Sequence, residues 1–190
     1  MSPLLYRSSA PLLLSALMLA CWLYPVGSLF QYQPGLIGQG EYWRLLTGHW
    51  VHIDRWHLMV NLVGVWLVWW WTGKAFGPWQ WWLTTLVCSL AVSVGLYFFD
   101  PTVAWYRGFS GVLFGLFAAG TVVLFPDHPV LALAGLVGGA AKLTLDALGW
   151  EALGVGLVSD FRVIHQAHLY GFVSGLLLGA GFLLTHRGGS

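Results

Sequence analysis

Apolar residues fall in six runs along the chain, at roughly 10–30, 56–73, 79–99, 110–126, 129–148 and 166–185. Each approaches the ~20 residues a helix needs to cross the hydrocarbon of a bilayer. Short polar breaks separate them. "TGKAFGPWQWW" (72–82) places Gly, Lys and Pro among tryptophans, as at a headgroup boundary. "FFDPTVAWYRG" (98–108) supplies Asp100, Pro101 and Arg107, and "FPDHP" (125–129) is a tight turn. Longer connections run from about 31 to 55 and over "GWEALGVGLVSDFRVIHQ" (149–166). The pattern predicts an all-α membrane protein, a bundle of six transmembrane helices in a single domain over residues 1–190.

Composition agrees with lipid as the main solvent. The chain is 58% hydrophobic and 8% charged, against about 25% charged for a soluble domain. A net charge of +1 leaves no electrostatic footprint for nucleic acid. Cys21 and Cys88 lie in separate apolar runs and read as small buried hydrophobes rather than a disulfide. The apolar N-terminal stretch lacks a small-x-small cleavage site and reads as the first span, not a signal peptide. Charge does not orient the bundle. With the N-terminus inside, inner segments carry Arg7, Lys74 and Arg187, and outer ones Arg44, Arg55, Arg107 and Arg162.

Parity brings the candidate chemistry together. Spans two, four and six begin on one face, and their first turns hold His57 and Asn61, then Ser110, then His168. Polar side chains at such depth are costly and normally face a bundle interior or a cavity. A serine becomes a nucleophile when a neutral histidine takes its proton. His168, Gly171, Gly175 and Gly179 share one stripe of their helix. Span four offers Gly111 and Gly115, and small residues let helices approach closely. Packing of span four on span six would carry His168 to Ser110, with Gly108 and Gly111 freeing the backbone around the serine. His57 and Asn61, one turn apart, are candidate donors to a developing oxyanion, joined by the Ser110 backbone N–H. No carboxylate is placed to complete a triad. Asp160 lies in a nearby loop without a reason to assign it, so the proposal is a Ser–His dyad.

Each residue also has a plainer reading. A glycine-flanked serine in a membrane helix usually packs, His168 could be a satisfied interior histidine, and His57 and Asn61 could bond across helices. Their convergence at one depth favours catalysis. A metal reading gathers His49, His52, His57, His165 and His168, since imidazole suits zinc or copper. The spacing fits no zinc signature, so no metal and no cofactor are assigned. The alternative to an enzyme is therefore a non-catalytic membrane binding protein or a His-based metal carrier. The clusters Trp69–Trp71 and Trp79–Trp82 read as interfacial anchors.

Together these residues resemble the rhomboid intramembrane serine proteases in their six-span basic form, from about residue 40 to 180. The matching stretches are Trp43–Arg44, "HLMVN", "GFSG" and "AHLYGFVSG", in that order. The resemblance implies Ser110 as nucleophile, His168 as general base and acid, and His57, Asn61 and the Ser110 N–H as oxyanion hole. It implies that Trp43 and Arg44 belong to a structural first loop lying partly in the outer leaflet. Many rhomboids stack a tyrosine on the histidine, one turn after the serine; here that position is Phe114. The implied partners are the bilayer and a membrane-anchored protein substrate with a single transmembrane helix. The implied setting is a bacterial inner membrane, N-terminus cytoplasmic and active site toward the periplasm. Span five and the loop 149–165 would gate entry. The small size and the first-loop stretch look similar to the rhombosortase branch, whose substrates carry a C-terminal Gly-Gly tail.

Overall fold

The computed structural model describes residues 3–72, 75–150 and 163–187. Asp160 and most of the expected gating loop, residues 151–162, lie outside them, as does Lys74. The described residues are helical and contain no strand, only an isolated antiparallel bridge between Tyr32 and Tyr106. In chain order the helices are α1 (Pro3–Leu23), three single turns α2 (Gly27–Phe30), α3 (Pro34–Ile37) and α4 (Arg44–Thr47), then α5 (Arg55–Thr72), α6 (Pro78–Phe99), α7 (Ser110–Val123), α8 (Pro129–Ala147) and α9 (His165–Arg187).

Four of these are long and apolar enough to cross a membrane: α1 from Tyr6, α6, α8 and α9 to Thr185. The count expected from the apolar runs was six, and the two shortfalls have physical causes. α5 has 18 residues, but Arg55, His57 and Asn61 in its first two turns and its tryptophans dilute its hydropathy. α7 has 14 residues, about 21 Å of helix, against ~30 Å of hydrocarbon. The first run, expected at 10–30, differs most in its bounds: α1 starts at Pro3 and ends at Leu23. Pro25 disfavours helix in the residue before it, and the chain restarts as α2.

α7 sits at the centre, packed on α5, α6, α8 and most extensively on α9. Its Val112, Leu116 and Ala119 are fully buried, and they join Leu14 and Met18 of α1, Val65 of α5 and Trp81 of α6 in the main core. Lipid tails are as apolar as leucine, so burial of such residues does not by itself drive helices together in a bilayer. Close backbone approach does more. A Cβ on Gly171 of α9 would lie 1.8 Å from the carbonyl oxygen of Gly111 on α7, and one on Gly175 would lie 2.2 Å from that of Gly115. A Cβ on Gly179 would lie 2.7 Å from the Ala119 carbonyl. Backbone therefore meets backbone over two turns. Outward-facing Val130, Leu177 and Leu184 are more than 70% exposed, a surface suited to lipid.

The connection between α1 and α5 is held by side chains that satisfy its carbonyls. Arg44, 3% exposed, donates to the carbonyls of Ser28 and Gln31 at 2.9 Å each and pairs with Glu41 at 2.7 Å. Thr47 donates to Phe30 at 2.7 Å, and the Trp43 indole to Leu29 at 3.3 Å. His49 is fully buried and donates from Nε2 to the Ser89 carbonyl at 3.0 Å and to Ser93 Oγ at 3.1 Å. Burial pushes its imidazole down to about 4, so the fold holds the neutral ring.

Gly171→Ala should lower the melting temperature of the detergent-solubilised protein by roughly 2–12 °C, since overpacking a tight contact costs about 1–3 kcal/mol. Gly181→Ala, on the same helix with nothing within 4 Å of its added methyl, should leave it unchanged. Because protonating His49 opposes folding, melting temperature should hold above pH ~6.5, the unfolded value, and fall as pH drops from there to about 4. A flat profile across that window would remove His49 as a cause.

Candidate active site

Ser110 is the first residue of α7, and its approach is rigid. Tyr32 and Tyr106 exchange backbone hydrogen bonds of 3.1 and 3.0 Å. The buried Tyr106 hydroxyl donates to the Gly108 carbonyl at 2.8 Å, and burial pushes this phenol up to about 12. Gly108 N–H donates to the Gly48 carbonyl at 3.1 Å. Gly108 has φ of +128°, a conformation open to glycine and strained for other residues. A Cβ there would also lie 2.6 Å from the His57 ring. The chain thus turns into α7 directly against His57.

His168 lies in the first turn of α9. Its Nε2 is 2.9 Å from Ser110 Oγ, within hydrogen-bond reach, so the hydroxyl can donate to the ring. The ring stacks on Phe114, one turn beyond Ser110, with centroids 4.6 Å apart and planes 19° apart. The glycine contacts between α7 and α9 set this separation: a Cβ on Gly111 would meet the Ala167 carbonyl at 2.8 Å, beside His168 itself.

His57 and Asn61 come from the start of α5, and both are buried. The His57 N–H donates to Asp54 at 2.8 Å, and Asn61 Nδ2 donates to the His57 carbonyl at 2.7 Å. An amide nitrogen has two N–H groups, so Asn61 keeps a second one. Ser110, His168, His57, Asn61 and Phe114 line one cavity of about 760 Å³, with Val60, Leu113 and Ile164 on its apolar walls. The starts of α5, α7 and α9 therefore converge there. Trp43 and Arg44 stand apart from the cavity lining and act within the first connection.

A residue that sequence reasoning missed lies behind the histidine. Asp146 of α8 is 1% exposed, and its Oδ2 is 3.6 Å from His168 Nδ1. Its other oxygen accepts from Lys142, one turn earlier. The expectation that no carboxylate attends the dyad is corrected here. The available signal was an acidic residue four positions after a lysine inside an otherwise apolar run, since ionisable groups in such helices usually serve a site.

The five histidines of the metal reading do not gather. His49 is committed to α6, while His52 meets His57 edge-on at 5.1 Å between centroids. Burial pushes His52 down to about 3. Among the described residues, Asp146, His165 and His168 do bring ligand atoms within 4.8 Å of one another. The Lys142 ammonium on Asp146 places a positive charge where a cation would bind, so this set does not fit a metal.

The arrangement holds a hydroxyl, a base and flanking donors in an apolar-walled cavity, which suits acyl transfer. Comparison with known proteins points the same way. Residues 39–185 match the Rhomboid domain. Over 144 residues the chain is 28% identical to the putative rhomboid protease YdcA of Bacillus subtilis, covering 75% of this chain and 68% of that protein. Over 84 residues it is 34% identical to the rhomboid protease GluP of the same organism, covering 44% of this chain but only 16% of that longer protein. With the matched domain spanning most of its length, and several of its helices suited to lipid, this chain is a multi-pass membrane protein that belongs to the rhomboid family.

Proposed function

We propose that the chain is an intramembrane serine endopeptidase that cuts membrane-anchored proteins near a transmembrane helix. The observation that carries this reading is the 2.9 Å contact between Ser110 Oγ and His168 Nε2 inside the cavity. Six crossings, with α5 and the short α7 among them, complete the proposed topology. If the far end of α7 reaches one interface, its ~21 Å length leaves Ser110 below the other, with the cavity as a route for water.

In this mechanism His168 takes the Ser110 proton as Oγ attacks the scissile carbonyl carbon. The oxygen that gains charge is met by the Ser110 N–H, Asn61 and His57. His168 then gives the proton to the departing amine nitrogen as the C–N bond breaks, leaving an ester on Ser110. A water molecule, deprotonated by the same ring, hydrolyses the ester and frees the serine. The stacked Phe114 holds the ring plane through these steps, without the hydroxyl a tyrosine would add.

The setting is an inner bacterial membrane with the N-terminus cytoplasmic and the cavity toward the periplasm. The substrate is an exported protein whose C-terminal Gly-Gly motif precedes its anchor helix, as in the rhombosortase branch. Small residues near a cut help because they unwind from a helix at low cost. A non-catalytic binding role has no observation of its own in its favour, since both serine and histidine are present and in contact.

Ser110→Ala should abolish labelling by a fluorophosphonate probe; equal labelling of wild type and variant would sink the protease reading. His57→Ala and Asn61→Ala should each slow cleavage by roughly 10²–10³-fold, the usual effect of losing one oxyanion donor, with melting temperature near that of wild type. Co-expression with tail-anchored exported proteins, with trimming read by mass spectrometry, tests the substrate class.

A further inference from the structure

The dyad is backed by a carboxylate whose placement no part of the mechanism above uses. Asp146 sits in the last turn of α8. An i,i+4 pair such as Lys142–Asp146 is ordinarily a surface feature worth about 0.3–0.5 kcal/mol. This one is not at a surface on its acidic side, where the carboxylate is 1% exposed. Burying a carboxylate is costly unless its lone pairs are used. Lys142 uses Oδ1, whereas Oδ2 has no hydrogen-bond partner and lies 3.6 Å from His168 Nδ1, which has none either. The two unsatisfied atoms face one another across the α8–α9 boundary, a few tenths of an ångström beyond a hydrogen bond. On the opposite side of the same ring, Nε2 faces Ser110.

We propose that Asp146 is the positioning residue for His168: its carboxylate takes the Nδ1–H and so keeps Nε2 as the bare nitrogen that accepts the Ser110 proton. This rests on the protease reading of Ser110 and His168. A neutral imidazole carries one proton on either nitrogen, and a ring with its proton on Nε2 cannot act as base. When the serine proton reaches Nε2, the ring becomes a cation with N–H at both positions. Asp146 stays ionised beside it and offsets that charge until the proton passes to the leaving amine. The other charged or titratable groups about the ring are Lys142 on α8, His165 on α9 and His57 on α5.

The arrangement ties the base to the least embedded of the apolar helices. Only four of the 19 residues of α8 are buried, Asp146 among them, against ten of the 22 of α6, so His168 orientation depends on where α8 lies.

The test uses the full chain in lipid nanodiscs with a membrane-anchored substrate. Asp146→Asn should lower kcat roughly 10- to 1,000-fold, on the precedent of orienting carboxylates in serine hydrolases, with KM within about threefold. Lys142→Met removes the ion pair but keeps the carboxylate, and should cost kcat at least about tenfold less. Asp146→Glu should recover part of the loss. Equal kcat in Asp146→Asn and Lys142→Met would reduce the pair to a structural clamp and overturn the proposal. So would wild-type kcat in Asp146→Asn while Ser110→Ala is inactive. If Ser110→Ala cuts as well as wild type, the protease reading fails instead. Nitrogen-15 spectra of histidine-labelled Ser110→Ala then decide the geometry alone. They should show His168 protonated at Nδ1, and lose that preference when Asp146→Asn is added. A ring protonated at Nε2 with the carboxylate present would overturn it, and this measurement also stands if Asp146→Asn fails to fold in the active background.

Discussion

Contact between the backbones of α7 and α9 is the constraint on which the rest of the molecule depends. In lipid there is no general hydrophobic force to press helices together, so adhesion comes from many short-range contacts at close approach. Gly111 and Gly115 on one helix and Gly171 and Gly175 on the other leave no room for side chains at the crossing. That closeness fixes the register of the two helices, and the register places the first turn of one beside the first residue of the other. The hydrogen bond between Ser110 and His168 is thus an outcome of main-chain geometry rather than of flexible side-chain reach.

Around that pair the fold supplies order by satisfying backbone groups that water cannot reach. Non-helical chain near a membrane is tolerated where the protein itself meets its polar groups. Arg44 and Thr47 do this for the carbonyls of residues 28, 30 and 31. The Tyr32–Tyr106 bridge and the Tyr106 hydroxyl do it for the segment leading into α7. The first connection thus has its carbonyls satisfied away from the cavity, and the segment that lines the cavity ahead of Ser110 is tied down by its own bonds.

Much of the site was legible in the sequence because its logic is periodic. Small residues at spacings of four marked the crossing, and the even-numbered runs began with the polar residues that now share a cavity. The number of crossings was less legible in the structure's own terms, because α7 is short and α5 starts with an arginine, a histidine and an asparagine. Asp146 escaped because its one local mark, an ionisable pair inside an apolar run, does not say which residue it serves. It lies one turn from a lysine, which reads as an ordinary helical pair, and its relation to His168 exists only after α8 folds back on α9. The histidines around residue 50 misled in the opposite way. Their density in the sequence suggested a ligand set, whereas His49 is a structural donor to α6, a role that depends on a partner 40 residues away.

The glycine crossing has a consequence for how such a protein can diversify. Where two main chains touch, there is no side-chain volume to trade, so almost any change at the seam damages the fold before it alters chemistry. Variation in the cavity's shape must therefore be written on the other walls, in Val60 of α5, Leu113 on the α5-facing side of α7 and Ile164 ahead of α9. Ser110 and His168 would stay as they are while the shape of the cavity drifts around them.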